Sequence, residues 1–236
     1  MASTPFKSHY LELLHWSQAS QNAFFAQLPT EELAMSGTSD LWSAKDHVAH
    51  MSFWRRRLAA RVQAGVEERP QPENIDFEER NPVVFAQNRD RSWPDILAES
   101  DQVYADLIRQ TERVSEDDLT TADRFDWVPK GTPLYILYLG NTLEHTANHL
   151  AQYVADRGDA QRAVSIYTDW ASHIADPEMP GMLRGYVLYN LACFYATHDQ
   201  LEAARPPLRE ACELFPDGRE LAETDPDLAA LRPLDF

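Results

Sequence analysis

The chain has 236 residues, and its 21 Lys and Arg stand against 38 Asp and Glu, a formal net charge of −17. A surface that acidic repels phosphate backbones and anionic lipid, which argues against nucleic acid or a membrane surface as a partner. No stretch approaches the roughly 18 consecutive apolar residues of a membrane span, and the start, MASTPFKSHYLELLHW, lacks the charged and apolar regions of a signal peptide. The two cysteines, Cys193 and Cys212, sit in helical contexts (NLACFY, REACEL) that read as small buried positions rather than a disulfide framework. A reducing, cytoplasmic setting is expected.

Helical periodicity dominates, with no hairpin or run of alternating strands, so the expected fold class is all-α. A first helix is predicted over residues 5–27, opened by Thr4-Pro5 and ended by LPTEEL. A second begins at Ser43, where Ser43-Ala44-Lys45-Asp46 has the form of a capping box, and runs to about Gly65. Residues 66–91 hold three prolines and many charges. A connection that long is expected to cover a site or to adopt structure of its own. The third helix is predicted over 92–114, with Pro94 tolerated in its first turn. A second loop, containing DRFDWVPKGTP, leads to a fourth helix over 133–157. Four helices of about 20 residues with two long loops describe a four-helix bundle over residues 1–157.

After Gly158-Asp159 the sequence changes character, and residues 158–236 are predicted to form a separate helical tail. AQYVADRGDAQRAVSIYTDWASHIADP can be laid on ACFYATHDQLEAARPPLREACELFPD, with Gly158-Asp159 matched to His198-Asp199. The pattern resembles tetratricopeptide repeats, whose basic period is 34 residues, and ELAETDPDLAALRPL resembles the helix that closes such arrays. So short an array cannot bury its apolar faces alone, so the tail is expected to pack on the bundle.

Histidines carry the chemical signal. His145 and His149 in LEHTANHLAQY are four apart and share a helical face. In WSAKDHVAHMSFW, His47 and His50 both lie on the stripe of Met51, Trp54 and Leu58, an arc of about 100°. Leu134, Tyr138, Asn141, Thr142 and Gln152 fall on the arc of the helix-four histidines. Two imidazoles from one helix and a third from a neighbour can hold a divalent metal with positions left open. The plain alternative is solvated or hydrogen-bonded histidines. Wheel geometry alone does not choose between His47 and His50.

WSAKDHVAHMSFW resembles the second-helix signature of the DinB-like bundles, a W-x-x-x-D-x-x-x-H pattern. GTPLYILYLGNTLEHTANHLAQY resembles their fourth helix, and the stretch from ENIDF to SEDDL is most similar to the ClbS/DfsB branch. The resemblance covers about residues 5–157. It implies a metal triad of His50, His145 and His149, zinc or nickel as the ion, and either hydrolysis of a strained electrophilic ring or transfer of a low-molecular-weight thiol. It has no place for His47, and it allows a homodimer formed through helix faces.

Glu144 is the carboxylate nearest the triad in sequence and is the candidate general base, although it points about 100° from His145. Asp46, four before His50, could orient that ring or simply close the capping box. Trp42 and Trp54 read as packing residues, and Trp127 as the tryptophan best placed to line a pocket. Phosphate-binding loops, Cys-x-x-Cys and nucleophile elbows are missing from the sequence. Two functions remain: a metal-dependent hydrolase or thiol transferase acting on an electrophilic small molecule, and a non-catalytic interaction or small-molecule-binding module using the repeat-like tail for a protein partner.

Overall fold

The computed structural model describes residues 5–215 and 217–234, so Thr4 and Pro216 lie outside the described residues. Its described elements are all helical, as expected. The chain divides into two compact units, one running to His149 and the other starting at Leu150.

The first unit contains α1 (Phe6–Phe25), α2 (Thr30–Ala34), α3 (Ala44–Val66), α4 (Phe77–Asn88), α5 (Trp93–Arg113), α6 (Glu116–Thr120), α7 (Leu134–Tyr138) and a π-helical turn (Leu139–Leu143). The next helix, α8 (Glu144–Ala155), begins in this unit. The long helices α1 and α5 pack because each has a buried stripe at helical spacing, while α3 is buried on all sides over Ala44–Ser52. In α1 the stripe is Tyr10, Leu13, Leu14, Ser17, Gln21, Phe24 and Phe25. In α5 it is Ile96, Ser100, Val103, Tyr104, Leu107 and Ile108. The predicted second loop includes a turn of helix, α6, capped by Ser115. The 66–91 connection has structure of its own in α4, whose N-cap Asp76 accepts from the amides of Glu78 and Glu79.

The capping box at the start of α3 is fully formed. Ser43 accepts from the Asp46 amide, and Asp46 Oδ2 accepts from the Ser43 amide at 2.8 Å. The same oxygen accepts from Ser43 Oγ at 2.6 Å and from the Gly37 amide at 3.1 Å. Asp46 therefore ties the preceding loop to the helix start rather than orienting a histidine. A Cβ at Gly37 would lie 2.2 Å from Asp46 Oδ2, so only glycine lets the loop approach this closely.

A polar layer crosses the apolar core. Arg55 of α3 is fully buried, donates to Gln21 Oε1 at 2.9 Å and to Thr146 Oγ1, and lies 4.1 Å above the Tyr104 ring. Gln21 in turn donates to Ser100 Oγ at 3.1 Å, and Ser17 Oγ lies 2.9 Å from Tyr104 OH. Arg55 Nε has no hydrogen-bond partner. Burial lowers the guanidinium pKa from its ordinary value. Residues of α1, α3, α5 and α8 thus meet around one cation.

The predicted fourth helix is continuous but not uniform. The π turn over Leu139–Leu143 adds a residue to one turn and rotates everything beyond it by about 100°. The single stripe expected from Leu134 to Gln152 is therefore broken ahead of His145. Tyr138 is buried 3.1 Å from Thr111 Oγ1 and edge-on to Tyr10.

The second unit continues α8 and contains α9 (Ala160–Ile174), α10 (Gly181–Thr197), α11 (Leu201–Leu214), α12 (Gly218–Thr224) and a 3-10 turn (Pro226–Leu231). Its repeat is visible in burial, with one adjustment. The left-handed residue that ends a helix is Gly158 (φ 88°) in one turn and Asp199 (φ 60°) in the other, so the offset is 41 residues rather than 40. In each turn the following amide closes back on the helix, Asp159 to Val154 at 3.1 Å and Gln200 to Tyr195 at 2.9 Å. At that offset Ala163, Tyr167, Trp170 and Ile174 correspond to Ala204, Leu208, Ala211 and Phe215, and all eight are buried. Ala204, Leu208 and Ala211 pack with Ala192, Ala196, Ala222, Leu228 and Leu231 into a core of mostly small side chains. Cys193 and Cys212 are free and half-buried.

Candidate metal centre

The α3 cap sets the phase of a helix on which His47 and His50 fall one turn apart. The π turn sets the phase of the helix carrying His145 and His149. Together these two devices bring three imidazoles to one point. His145 Nε2 lies 3.1 Å from His50 Nε2 and 3.0 Å from His149 Nε2. His50 and His149 are buried, and His145 keeps partial exposure. The three offer ligand atoms all within 4.8 Å of one another.

This donor set fits a divalent ion. Nitrogens held about 2.0–2.1 Å from zinc stand about 2.9 Å apart at a right angle and about 3.3 Å apart at a tetrahedral one. The observed separations fall in that interval. Held only by hydrogen bonds, His145 Nε2 would have to share its one lone pair between two N–H donors or its one N–H between two acceptors.

Electrostatics keep the rings neutral and therefore able to ligate. Burial, with Arg55 second, lowers the His50 pKa to about 4. Burial, then His50 and Arg55, lowers that of His145 to about 3, and burial followed by the neighbouring histidines pushes His149 well down. In the metal-free protein these rings bind fewer protons folded than unfolded once the pH drops below about 6.5. Stability is therefore expected to fall as pH falls from about 6.5 toward 4, on the order of 3 kcal/mol from His50 alone. Urea midpoints across this range, compared with His50→Gln, check it. A wild type no more acid-sensitive than the variant would contradict the burial account.

Aromatic rings surround the centre. Trp42 stacks on His149 with planes 4° apart, lies 5.1 Å from His50 by centroid, and meets His47 edge-on at 5.4 Å. Trp42 immediately precedes the cap and His47 is the fourth helical residue, the two positions of a hydrophobic staple. That pattern was legible in the sequence and would have placed Trp42 here. From α4, Phe85 stacks on Trp42 at 6.3 Å and Asn81 Oδ1 accepts from Trp54 Nε1 at 3.0 Å. The 66–91 connection thus reaches the rings that flank the histidines, and no local signal identified Phe85. Trp127 lies elsewhere. It packs on Gly65 and Arg61, and Gly65 is about 22 Å along α3 from His50 at 1.5 Å per residue.

His47 is fully buried, with Nδ1 2.9 Å from Nδ1 of His149. It touches the outer edge of the His149 ring, while His50 joins the central contact. Glu144 is buried, and its charge acts on the Tyr10 phenol; the groups acting on His145 and His149 are the other histidines and Arg55. The second unit holds another group of possible ligand atoms, Cys193 with Asp225 and Asp227. There burial and Asp225 push the Cys193 thiol up to about 12, so the sulfur stays protonated, and Tyr189 donates to Asp225 Oδ2 at 2.9 Å.

Fold and site together define a helical bundle with a buried three-histidine centre. The family described as the DinB superfamily matches residues 13–153, and the chain belongs to it. That superfamily is in general metal-binding. No curated protein and no solved structure shows a significant match. Among the described residues no helix is long and apolar enough to cross a membrane.

Proposed function

We propose that this chain is a metal-dependent enzyme of the ClbS/DfsB type, a hydrolase or low-molecular-weight thiol transferase acting on an electrophilic small molecule. The observation that carries the reading is the convergence of His50 Nε2 and His149 Nε2 on His145 Nε2, at 3.1 and 3.0 Å. Those atoms would hold the ion, zinc or nickel. When bound, it supplies Lewis acidity at positions the protein leaves open. The chain's own residues do the rest. Trp42, Trp54 and Phe85 keep water away from the buried side of the rings. Burial, with the Arg55 charge adding to it, holds the imidazoles neutral. Glu144 is proposed to accept the proton of the attacking water or thiol.

Metal-loaded protein is assayed against a panel of strained-ring electrophiles, with and without thiols. Turnover is expected in the wild type. In Glu144→Gln it is expected to drop about 10²- to 10⁴-fold at unchanged metal content. Full turnover by a metal-free His145→Ala variant would overturn the mechanism, and full turnover by Glu144→Gln would remove that residue from it.

A second reading, a partner-binding tail, is favoured by the 41-residue recurrence of buried positions in the second unit. Unchanged biological activity of the metal-free His145→Ala protein would favour it over the first.

A further inference from the structure

We propose that His47 is a positioning residue for the metal centre. It acts as an uncharged hydrogen-bond acceptor that fixes the tautomer and ring angle of His149. This inference rests on the metal reading above and adds a residue to it.

The chemistry follows from the two ring nitrogens. A neutral imidazole has one protonated and one bare nitrogen. For Nε2 of His149 to give its lone pair to an ion, the proton must sit on Nδ1. That Nδ1 lies 2.9 Å from Nδ1 of His47, so His149 donates and His47 accepts. His47 must then carry its own proton on Nε2. Only one arrangement of protons satisfies both the ligand and its support.

Among the described residues, His149 is the one ligand held in this way by a side chain. His50 Nδ1 is buried without a hydrogen-bond partner. The Asn141 carbonyl, one turn back, pulls on the His145 ring, but Nδ1 of His145 does not meet hydrogen-bond geometry. The His149 ring is also confined, stacked on Trp42 on one side and meeting His47 at its edge, 5.1 Å between centroids. His47 is itself fixed twice, by the α3 cap that sets its phase and by the edge-on contact with Trp42.

The acceptor behind a metal-bound histidine is usually a carboxylate or a backbone carbonyl. Here it is an imidazole and brings no negative charge. The three ligands and this support are then all neutral, and an ion held there keeps its full positive charge toward whatever occupies its open positions.

The test measures zinc affinity of the full-length chain by competition with a chromophoric chelator, alongside the cobalt(II) absorption spectrum. His47→Leu removes the acceptor, and His47→Asn places a carbonyl oxygen near the position of Nδ1. His47→Leu is expected to bind zinc about 10- to 100-fold more weakly with an altered cobalt spectrum, and His47→Asn to return toward wild type. Equal affinity in wild type and His47→Leu overturns the role of His47 and leaves the metal reading intact. Equal loss in both variants overturns the acceptor role in favour of packing. A wild type that takes up no zinc overturns the metal reading and this inference with it. Should His47→Leu fail to fold, two-bond proton–nitrogen NMR of the zinc-loaded wild type decides the matter. His47 is expected to carry its proton on Nε2 and His149 on Nδ1, and the reverse assignment overturns the proposal.

Discussion

Reconstituted wild-type protein is expected to hold one divalent ion per chain, and His145→Ala to hold none under the same conditions. His145 has the largest expected effect because its Nε2 is the hub, 3.1 Å from His50 and 3.0 Å from His149. Removing it leaves only two imidazoles, His50 and His149, to hold the ion. Loss of a ligand should exceed the roughly 10- to 100-fold cost of losing a residue that merely supports one. His50→Ala is expected to behave similarly. His9→Ala, in α1 and outside the histidine cluster, should change nothing. Elemental analysis after dialysis checks all four proteins. An apo wild type after reconstitution with zinc and with nickel would remove the metal from the account. Metal retained by both His145→Ala and His50→Ala would place it elsewhere.

Arg55→Ala is expected to be the most destabilising single substitution in the first unit, by about 3–5 kcal/mol. Two costs combine. Truncation leaves a cavity in a layer where the side chain is completely buried, and it strands Gln21 Oε1, which accepts from the guanidinium at 2.9 Å. Arg55→Met fills most of the space and removes a charge that burial already disfavours, so it should cost about 1–2 kcal/mol less than alanine. Urea unfolding of the two variants separates the terms. Equal destabilisation would mean that the lost polar contacts dominate and volume matters little. Little loss in either would show that the polar layer adds no stability.

Much of this was legible because it is local. Ser43 and Asp46 form a cap by their own spacing, and that cap starts α3 where the sequence puts it. The four-residue interval of His145 and His149 places them on one face wherever the helix goes. The buried stripes of α1 and α5 follow directly from periodicity. Even the tail's repeat was visible, misaligned by one residue because Asp199 takes the left-handed conformation that Gly158 takes in the other turn.

What failed was any reading that assumed constant helical phase or depended on distant segments. A uniform wheel put Tyr138 beside the histidines. The π turn over Leu139–Leu143 moves it away, because one inserted residue rotates the helix without leaving a compositional mark. The choice between His47 and His50 could not come from their own helix, where they share a face. It depends on where the Nε2 atoms of another helix arrive, and His50 meets His145 while His47 meets the far side of His149. Phe85 reaches Trp42 from a connection whose path no local pattern specifies.

The sequence by itself determined the long helices, the α3 cap, the buried stripes of α1 and α5 and four histidines that could ligate, His47, His50, His145 and His149, since each depends on neighbours within a turn or two. The tertiary structure alone decided which nitrogens converge, which histidine supports another, and which tryptophan stands at the site. Those are relations between side chains about a hundred positions apart, fixed by helix phase and packing rather than by spacing along the chain.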